Sequence, residues 1–328
     1  MTSERELPFI NMTALDPEFR FAQQESPTPL IRDLISSDPA AYDDAPVAIF
    51  GSPQDEGVRR NDGRPGARYG PAEIRRELYL SPAPEGVPLT AIFDLGDVVP
   101  GGTLEDTHDR QFSVVERLLR DGKRVVVLGG GNDISYPDCA ALASVSKIVG
   151  AINIDSHYDV RERDIRNSGT PYRQLLEAGL IEPRYFWEVA GKAEQNDDRY
   201  RRYLERIGAN VYPLEVVERM TIDELMRQIL DVEEPESLFW GFDLDAVRQE
   251  DAPGVSAPHP HGLSAEDTCR IAELAGNDPR SRVLEVSEVN PVHDVDNRTA
   301  RLAALVIGHF LAAWLVRGSS EKTKRELP

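Results

Sequence analysis

Several features are scarce or missing in this 328-residue sequence, and each absence excludes a class of protein. The two cysteines, Cys139 and Cys269, are too few for a disulfide framework and do not form a CxxC pair. The longest apolar stretch, Leu302 to Val316, is interrupted by Gly308 and His309 and is shorter than the ~20 residues of a transmembrane helix. The N-terminal residues lack the apolar segment of a secretory signal. We therefore expect a cytoplasmic protein without a membrane partner.

Basic residues are also in deficit. Lysine and arginine number 37 against 57 aspartates and glutamates, so the formal net charge is −20. A field of this sign repels phosphate backbones, and nucleic acid is not an expected partner. The fractions of apolar residues (40%) and charged residues (29%) are those of a folded globular protein.

Short apolar runs alternate with segments of helical spacing. This alternation predicts βαβ units and a mainly parallel sheet with helices on both faces, a three-layer α/β/α fold of about eight strands. The predicted strands are Val47 to Phe50, Ala91 to Phe93, Arg124 to Leu128, Val149 to Ile154, Tyr185 to Val189, Asn210 to Tyr212, Leu238 to Leu244 and Arg282 to Val286. The predicted helices include Pro71 to Tyr79, Thr107 to Arg120, Thr170 to Ala178, Arg201 to Ile207, Ile222 to Leu230 and the buried stretch Leu302 to Val316.

No linker rich in glycine, serine or proline divides this alternation, so one domain over residues 45–317 is expected. Residues 1–44 contain several prolines and little periodicity, which predicts an extended arm with a helical piece around Leu30 to Ser36. Residues 318–328 are polar and charged, and we expect a frayed tail there.

Ligand-type side chains follow two of the predicted strands. Asp155, His157 and Asp159 form a DxHxD pattern after one strand, and Asp243 and Asp245 end another. Alternate residues of an extended chain point to the same side, and parallel strands end at one edge of the sheet. Alone, each cluster could be a polar loop or a surface strand end. Together they predict a site for two divalent metals, because several buried carboxylates need a cation.

A third strand runs into Gly129, Gly130, Gly131, Asn132 and Asp133. A glycine run can cradle a phosphate, but this one lacks the Lys-Ser/Thr of a P-loop and the GxGxxG spacing. We favour a tight turn that brings Asn132 and Asp133 to the sheet edge.

These residues make the chain resemble the ureohydrolase superfamily of arginases and agmatinases. Its three metal motifs, GGxH, DxHxD and SxDxDxxDPxxAPG, read here GGGN (129–132), DSHYD (155–159) and GFDLDAVRQEDAPGVSAP (241–258). The segments GVRRNDGRPGARYGP (57–71), SGTPYRQLLE (168–177) and SEVNP (287–291) resemble formimidoylglutamases in particular. Arginases tend to place a histidine-bearing SGNxHG segment where SGTPYR stands.

The resemblance implies an arginase-like fold and two Mn²⁺ ions bridged by Asp155 and Asp243. His157 and Asp245 would complete one ion site, and Asp159 the other. The histidine of GGxH would also bind the second ion, but Asn132 stands there, so we expect that ion to bind more weakly. Asp133 is an alternative ligand.

The implied activity is hydrolysis of a linear amidine, N-formimidoyl-L-glutamate, to L-glutamate and formamide, a step of histidine metabolism. A bridging hydroxide would attack the amidine carbon, and Glu288 would hold the amidinium. Arg173, Arg60 and Arg64 are candidates for the substrate carboxylates, with ordinary surface arginines as the alternative. A regulatory protein of the same fold without catalysis, a one-metal hydrolase, and a guanidino hydrolase stay open. A homo-oligomer, trimer or hexamer, is implied by the resemblance alone.

Overall fold

The computed structural model describes residues 9, 11–19, 28–88 and 90–325. Within these residues the strands form one mixed sheet. The strands are β1 (Met12–Thr13), β2 (Ile35–Ser36), β3 (Val47–Gly51), β4 (Ile92–Val98), β5 (Arg124–Leu128), β6 (Val149–Ile154), β7 (Phe186–Val189), β8 (Asn210–Tyr212), β9 (Ser237–Asp243) and β10 (Ser281–Ser287).

The strand order is β1-β4-β3-β5-β10-β9-β6-β7-β8, with β2 also paired to β4. Every described strand pair is parallel except β1 with β4. The last two strands in sequence, β9 and β10, lie in the middle of the sheet between β5 and β6. The chain thus brings four strand ends from distant parts of the sequence side by side.

The α-helices of the described residues cover both faces of this sheet. They are α1 (Glu56–Arg60), α2 (Gly70–Tyr79), α3 (Leu104–Arg120), α4 (Ser135–Val145), α5 (Pro171–Glu177), α6 (Asp198–Ile207), α7 (Leu214–Val217), α8 (Ile222–Leu230), α9 (Ala265–Asn277) and α10 (Arg298–Arg325). Helices α2, α8, α9 and α10 pack on one face, and α3, α4, α5 and α6 on the other. The predicted three-layer α/β/α fold is confirmed.

Two apolar cores result from the alternation of side chains along each strand. In β5, Val126 and Leu128 face the core on the α10 side, whereas Val125 and Val127 face the core on the α3 side. Because both faces are buried, most residues of the central strands are apolar, and Val125 to Leu128 of β5 form a continuous apolar run. This burial is why the sequence reveals them so clearly.

Strand β4 continues well beyond its predicted end at Phe93. Asp94 and Asp97 interrupt the apolar pattern, but both accept hydrogen bonds from Arg75 of α2, at 2.9 Å for Asp94 and 2.6 Å for Asp97. The buried guanidinium compensates the charge of these carboxylates, so a segment that looks polar in sequence remains in the sheet.

The two terminal segments differ from their predictions in part. The described pieces of the arm join the sheet as β1 and β2, and the helical piece around Leu30 to Ser36 is a 3-10 turn, Ile31–Leu34, followed by β2. Helix α10 runs to Arg325, into the predicted tail, and residues 326–328 lie outside the description. Within the part of the chain described, no helix has the length and apolar content of a membrane span.

Candidate metal centre

The predicted ligand clusters meet at the carboxyl end of the central strands. Strands β5, β10, β9 and β6 are neighbours, and each is followed by one of the polar segments noted in the sequence. Their side chains line a cavity of about 230 Å³, among them Asn132, His157, Asp159, Asp243, Asp245 and Glu288. The strand order therefore brings together residues that are far apart in the sequence. Asn132 and Glu288, for example, are 156 positions apart.

Two groups of ligand atoms share Asp155. One group is Asp155, His157 and Asp245, and the other is Asp155, Asp159 and Asp243; within each group the ligand atoms lie within 4.8 Å of one another. All four carboxylates are buried, and His157 is half-buried. The structure thus brings together the five residues that the sequence singled out, in two sets that could each hold one cation.

The electrostatics of these groups favour the binding of a cation. Burial, with Asp245 nearby, raises the pKa of Asp155 to about 6, and burial beside other carboxylates raises those of Asp159 and Asp243 well above their ordinary range. Burial disfavours a charged His157, but Asp245, at 3.0 Å from its Nδ1, and Asp155 outweigh this and raise its pKa. The raised pKa values of Asp155, Asp159 and Asp243 show that a positive charge beside these carboxylates would be favourable.

Asn132 occupies the edge of the second group. Its Nδ2 donates to Asp159 Oδ2 at 2.7 Å and to Asp155 Oδ2 at 3.1 Å. On the other side, Asn132 Oδ1 accepts from Ser287 Oγ at 2.8 Å and Ser135 Oγ at 3.2 Å. Because a hydroxyl can donate or accept, rotating the amide by 180° would turn Oδ1 toward the carboxylates and keep both serine contacts. Asn132 thus fits the position of a metal ligand.

Asp133, the alternative ligand, turns away from the cavity. One of its oxygens, Oδ2, lies 2.7 Å from both His108 Nε2 and Gln54 Nε2, and all three side chains are buried. The residue does not belong to either ligand group. The structure therefore contradicts the idea that Asp133 replaces the histidine of GGxH, because its carboxylate is already held by His108, a residue for which the sequence offered no spacing signal.

The glycine run is required by close packing and forms the tight turn that we favoured. A Cβ on Gly129 would lie 2.5 Å from the backbone oxygen of Val286, and one on Gly130 would lie 1.9 Å from that of Gln54. The Glu288 N–H donates to Gly130 O at 2.8 Å, which ties this turn to the end of β10. The turn thus fixes Asn132 and Glu288 relative to each other.

Glu288 reaches the cavity from the end of β10. Its φ of 64° is left-handed, a strained conformation for a residue other than glycine that often occurs at functional sites. Its Oε1 accepts the Asn132 N–H at 2.8 Å, and its Oε2 accepts the Ser256 hydroxyl. Burial raises the pKa of Glu288 to about 8, although these hydrogen bonds oppose the shift. A cation that reached this carboxylate would favour its charged form.

The three arginines predicted to bind carboxylates are all engaged elsewhere. Arg173 lies outside the cavity, where it pairs with Glu177 at 2.5 Å and stacks on Tyr203 at 3.9 Å. Arg60 pairs with Glu105 at 2.7 Å and lines a neighbouring cavity. Arg64 lines the metal cavity, but it donates to the backbone oxygens of residues 255 and 256.

A fourth arginine, Arg161, lines the metal cavity and was not singled out in the sequence. One signal could have found it. The spacing of Asp155, His157 and Asp159, one at every second residue, continues to Arg161.

The sequence matches the model of the arginase family over residues 45–313. The formimidoylglutamase of Klebsiella pneumoniae is 34% identical over 277 residues, which cover 82% of this chain and 86% of that protein. The formimidoylglutamase of Rhodococcus opacus is 33% identical over 278 residues, covering 79% of this chain and 83% of that protein.

Solved structures agree with these sequence matches. The formiminoglutamase of Trypanosoma cruzi, crystallised with Mn²⁺, has a TM-score of 0.82 and 33% identity, covering 88% of this chain and 99% of that chain. The formimidoylglutamase of Bacillus subtilis has a TM-score of 0.83 and 25% identity, covering 89% of this chain and 94% of that chain.

Proposed function

The chain belongs to the arginase family, and on this basis we propose that it hydrolyses N-formimidoyl-L-glutamate to L-glutamate and formamide. The observation that best supports this proposal is the pair of buried ligand groups sharing Asp155, with the Glu288 carboxylate in the same cavity. An enzyme of this kind needs a cation site and an acceptor for a planar amidinium within reach of each other.

We propose that two Mn²⁺ ions occupy these groups. Asp155, His157 and Asp245 would hold one ion, and Asp155, Asp159 and Asp243, with the reoriented amide of Asn132, would hold the other. When bound, two such ions lower the pKa of a shared water toward neutrality and so supply the nucleophile. The oxygen-rich second group suits a hard cation such as Mn²⁺.

Glu288 would orient the substrate. A carboxylate can accept two N–H bonds from an amidinium, and charge-assisted bonds of this geometry are strong and directional. The Asn132 N–H and the Ser256 hydroxyl both donate to the carboxylate. Its position is therefore set before the substrate arrives. Water then adds to the amidine carbon, the bond from that carbon to the glutamate nitrogen breaks, and formamide leaves with the original imino nitrogen.

A substrate panel with the Mn²⁺-loaded protein tests this proposal. We expect N-formimidoyl-L-glutamate to be hydrolysed with a higher kcat/KM than L-arginine or agmatine. Glu288→Gln should lower that kcat/KM by about 10- to 100-fold, because the neutral amide loses the charge-assisted bonds. Glu177→Gln, at an exposed residue outside the cavity, is the matched control and should change little.

Arginine or agmatine as the best substrate would reject the proposed substrate class. Full activity with one Mn²⁺ per chain would support the one-metal alternative. Protein that binds Mn²⁺ and N-formimidoyl-L-glutamate but releases no formamide would support a regulatory role.

We also propose a cytoplasmic location, a role in histidine metabolism and a homo-oligomeric state. The two free cysteines are compatible with a reducing compartment. The assembly state is supported only by the family resemblance, and sedimentation of the purified protein would measure it.

A further inference from the structure

Arg161 lies between two adjoining cavities. It lines the metal cavity and also a second, more open cavity of about 620 Å³, together with Asn61 and Asp62. Arg163 and Arg60 line the second cavity as well. A substrate whose amidine reaches Glu288 would extend its remaining groups toward this junction.

Hydrogen bonds and close packing hold Arg161 in place. Its backbone N–H donates to Gly169 O at 2.9 Å, and its Nη1 donates to Asn61 Oδ1 at 2.8 Å. Asn61 is in turn anchored by its Nδ2 to Ser168 Oγ at 3.0 Å. A Cβ at Gly169 would lie 2.6 Å from Arg161 Cδ and 2.7 Å from its Nε, so only glycine leaves room for this arginine.

The guanidinium of Arg161 has no carboxylate partner within 4.0 Å among the described residues, unlike those of Arg60 and Arg173. Arg64, which also lines the metal cavity, has no ion pair with a described residue either, but its guanidinium donates to two backbone oxygens. In Arg161, Nη1 is used by Asn61, but Nε and Nη2 have no hydrogen-bond partner among the described residues. These two groups form the side of the guanidinium that binds a carboxylate in a bidentate manner.

Resting on the proposed function, we propose that Arg161 binds a carboxylate of the glutamate part of the substrate. This contact explains how the site would select acidic amidines. It would attract a substrate that carries carboxylates and repel agmatine, whose far end carries a positive ammonium group. Asp62 and Asp164 also line the second cavity, so the selection depends on the fixed position of Arg161 and not on a uniformly basic surface.

The test compares Arg161→Met with wild type. The methionine keeps an unbranched stem without the charge, so KM for N-formimidoyl-L-glutamate should rise about 10- to 100-fold while kcat changes less. Inhibition by the product L-glutamate should weaken by a similar factor, and Mn²⁺ affinity should not change. Arg173→Met, which removes an arginine paired outside the cavity, is the matched control and should behave as wild type.

Truncated substrates identify the carboxylate that Arg161 contacts. N-formimidoyl-4-aminobutyrate lacks the α-carboxylate, and N-formimidoyl-L-2-aminobutyrate lacks the γ-carboxylate. The analogue that has lost the group facing Arg161 should be hydrolysed equally by wild type and by Arg161→Met. Gly169→Ala, which displaces the side chain without removing it, should raise KM by an intermediate factor, and Arg161→Lys should recover part of the loss.

The outcomes separate this inference from the proposed function. Hydrolysis of N-formimidoyl-L-glutamate with the same KM in wild type and Arg161→Met would overturn the role of Arg161 and leave the activity standing. No hydrolysis of this substrate by wild type would instead refute the proposed function. Should Arg161→Met lose its fold by circular dichroism, the KM values of Gly169→Ala and Arg161→Lys decide, and wild-type values in both would overturn the inference.

Discussion

At the scale of single residues, Asn132 shows how the neighbours of an amide allow its proposed role as a metal ligand. Its amide lies between two carboxylates, Asp155 and Asp159, and two hydroxyls, Ser135 and Ser287. The hydroxyls can satisfy either end of the amide, but an amide oxygen turned toward the two carboxylates would be satisfied only by a bound cation. A change from hydrogen-bond donor to metal ligand would then need only a side-chain rotation.

We expect Asn132→Ala to weaken one of two Mn²⁺ sites by about 10-fold or more, because a ligand and its serine support are lost together. Asn132→His should tighten that site, and more for Zn²⁺ than for Mn²⁺, since imidazole suits Zn²⁺ better than an amide does. Calorimetric titration with Mn²⁺ and Zn²⁺ measures the affinities of both variants. The comparison is Asp243→Ala, which removes a carboxylate from the second group. Two unchanged sites in Asn132→Ala would show that the asparagine is not a ligand.

At the scale of elements, the turn after β5 depends on the end of β10. The glycines at 129–131 leave space for the backbone of residues 52–54 on one side and of Val286 on the other. The N–H of Gly131 also donates to Gln54 O at 3.1 Å. Three chain segments therefore meet with no side chain between them, and the site residues Asn132 and Glu288 take their positions from this contact.

Gly130→Ala should destabilise the fold, because the new Cβ would lie 1.9 Å from Gln54 O, a backbone atom that cannot move alone. We expect a loss of about 1–3 kcal/mol or more in the free energy of unfolding, with weaker Mn²⁺ binding. Gly308→Ala is the control: no atom lies within 4 Å of its Cβ, and alanine inside α10 should stabilise by about 0.5–1 kcal/mol. Urea unfolding checks both, and equal stabilities would contradict the packing role of Gly130.

At the scale of the whole molecule, the centre of the sheet concentrates groups that bind protons. Burial raises the pKa of Asp155 to about 6 and that of Glu288 to about 8, and raises those of Asp159 and Asp243. Unfolded carboxyls titrate near pH 4. Between pH 4 and these folded values, the folded metal-free protein binds more protons than the unfolded chain, so these groups make its stability fall as the pH rises.

These buried carboxyl groups should therefore give the metal-free protein a higher Tm near pH 5 than near pH 8. Mn²⁺ binding replaces the protons, and at 100 times its Kd it adds about 2.7 kcal/mol to the stability. We expect the Tm gain from Mn²⁺ to be larger at pH 8 than at pH 5, as measured by calorimetry. A Tm that a fixed Mn²⁺ concentration raises equally at both pH values, or a gain that is undiminished in Asp243→Ala, would contradict this linkage.

Much of this protein could be read from its sequence, for local physical reasons. Most of the predicted strands are visible because both of their faces are buried, which favours continuous apolar runs such as Val125 to Leu128, whereas β8 at the sheet edge is only partly buried. Asp155, His157 and Asp159 could be recognised because three ligand-type side chains directly follow the buried apolar strand β6.

Other features were decided only by contacts between distant segments. Strand β4 is longer than its pattern indicates because Arg75 compensates Asp94 and Asp97, and no local signal announces that pairing. The N-terminal segment was expected to form an extended arm, and no local signal announced that its strands β1 and β2 pair with β4. Asp133 turns to His108, which lies on α3, 25 residues earlier in the chain.

The sequence by itself determined the layered fold, the likeness to the arginase family and the set of acidic and histidine residues at the strand ends, because local periodicity and short motifs encode them. The tertiary structure decided which arginines line the site and which of them keeps free hydrogen-bond donors. Arg60, Arg64, Arg161 and Arg173 have the same side chain, and only their partners distinguish them: carboxylates for Arg60 and Arg173, backbone oxygens for Arg64, and an asparagine for Arg161. Except for Glu177, which lies on the same helix as Arg173, those partners come from other segments of the chain, so the free donors of Arg161 become visible only when the chain has folded.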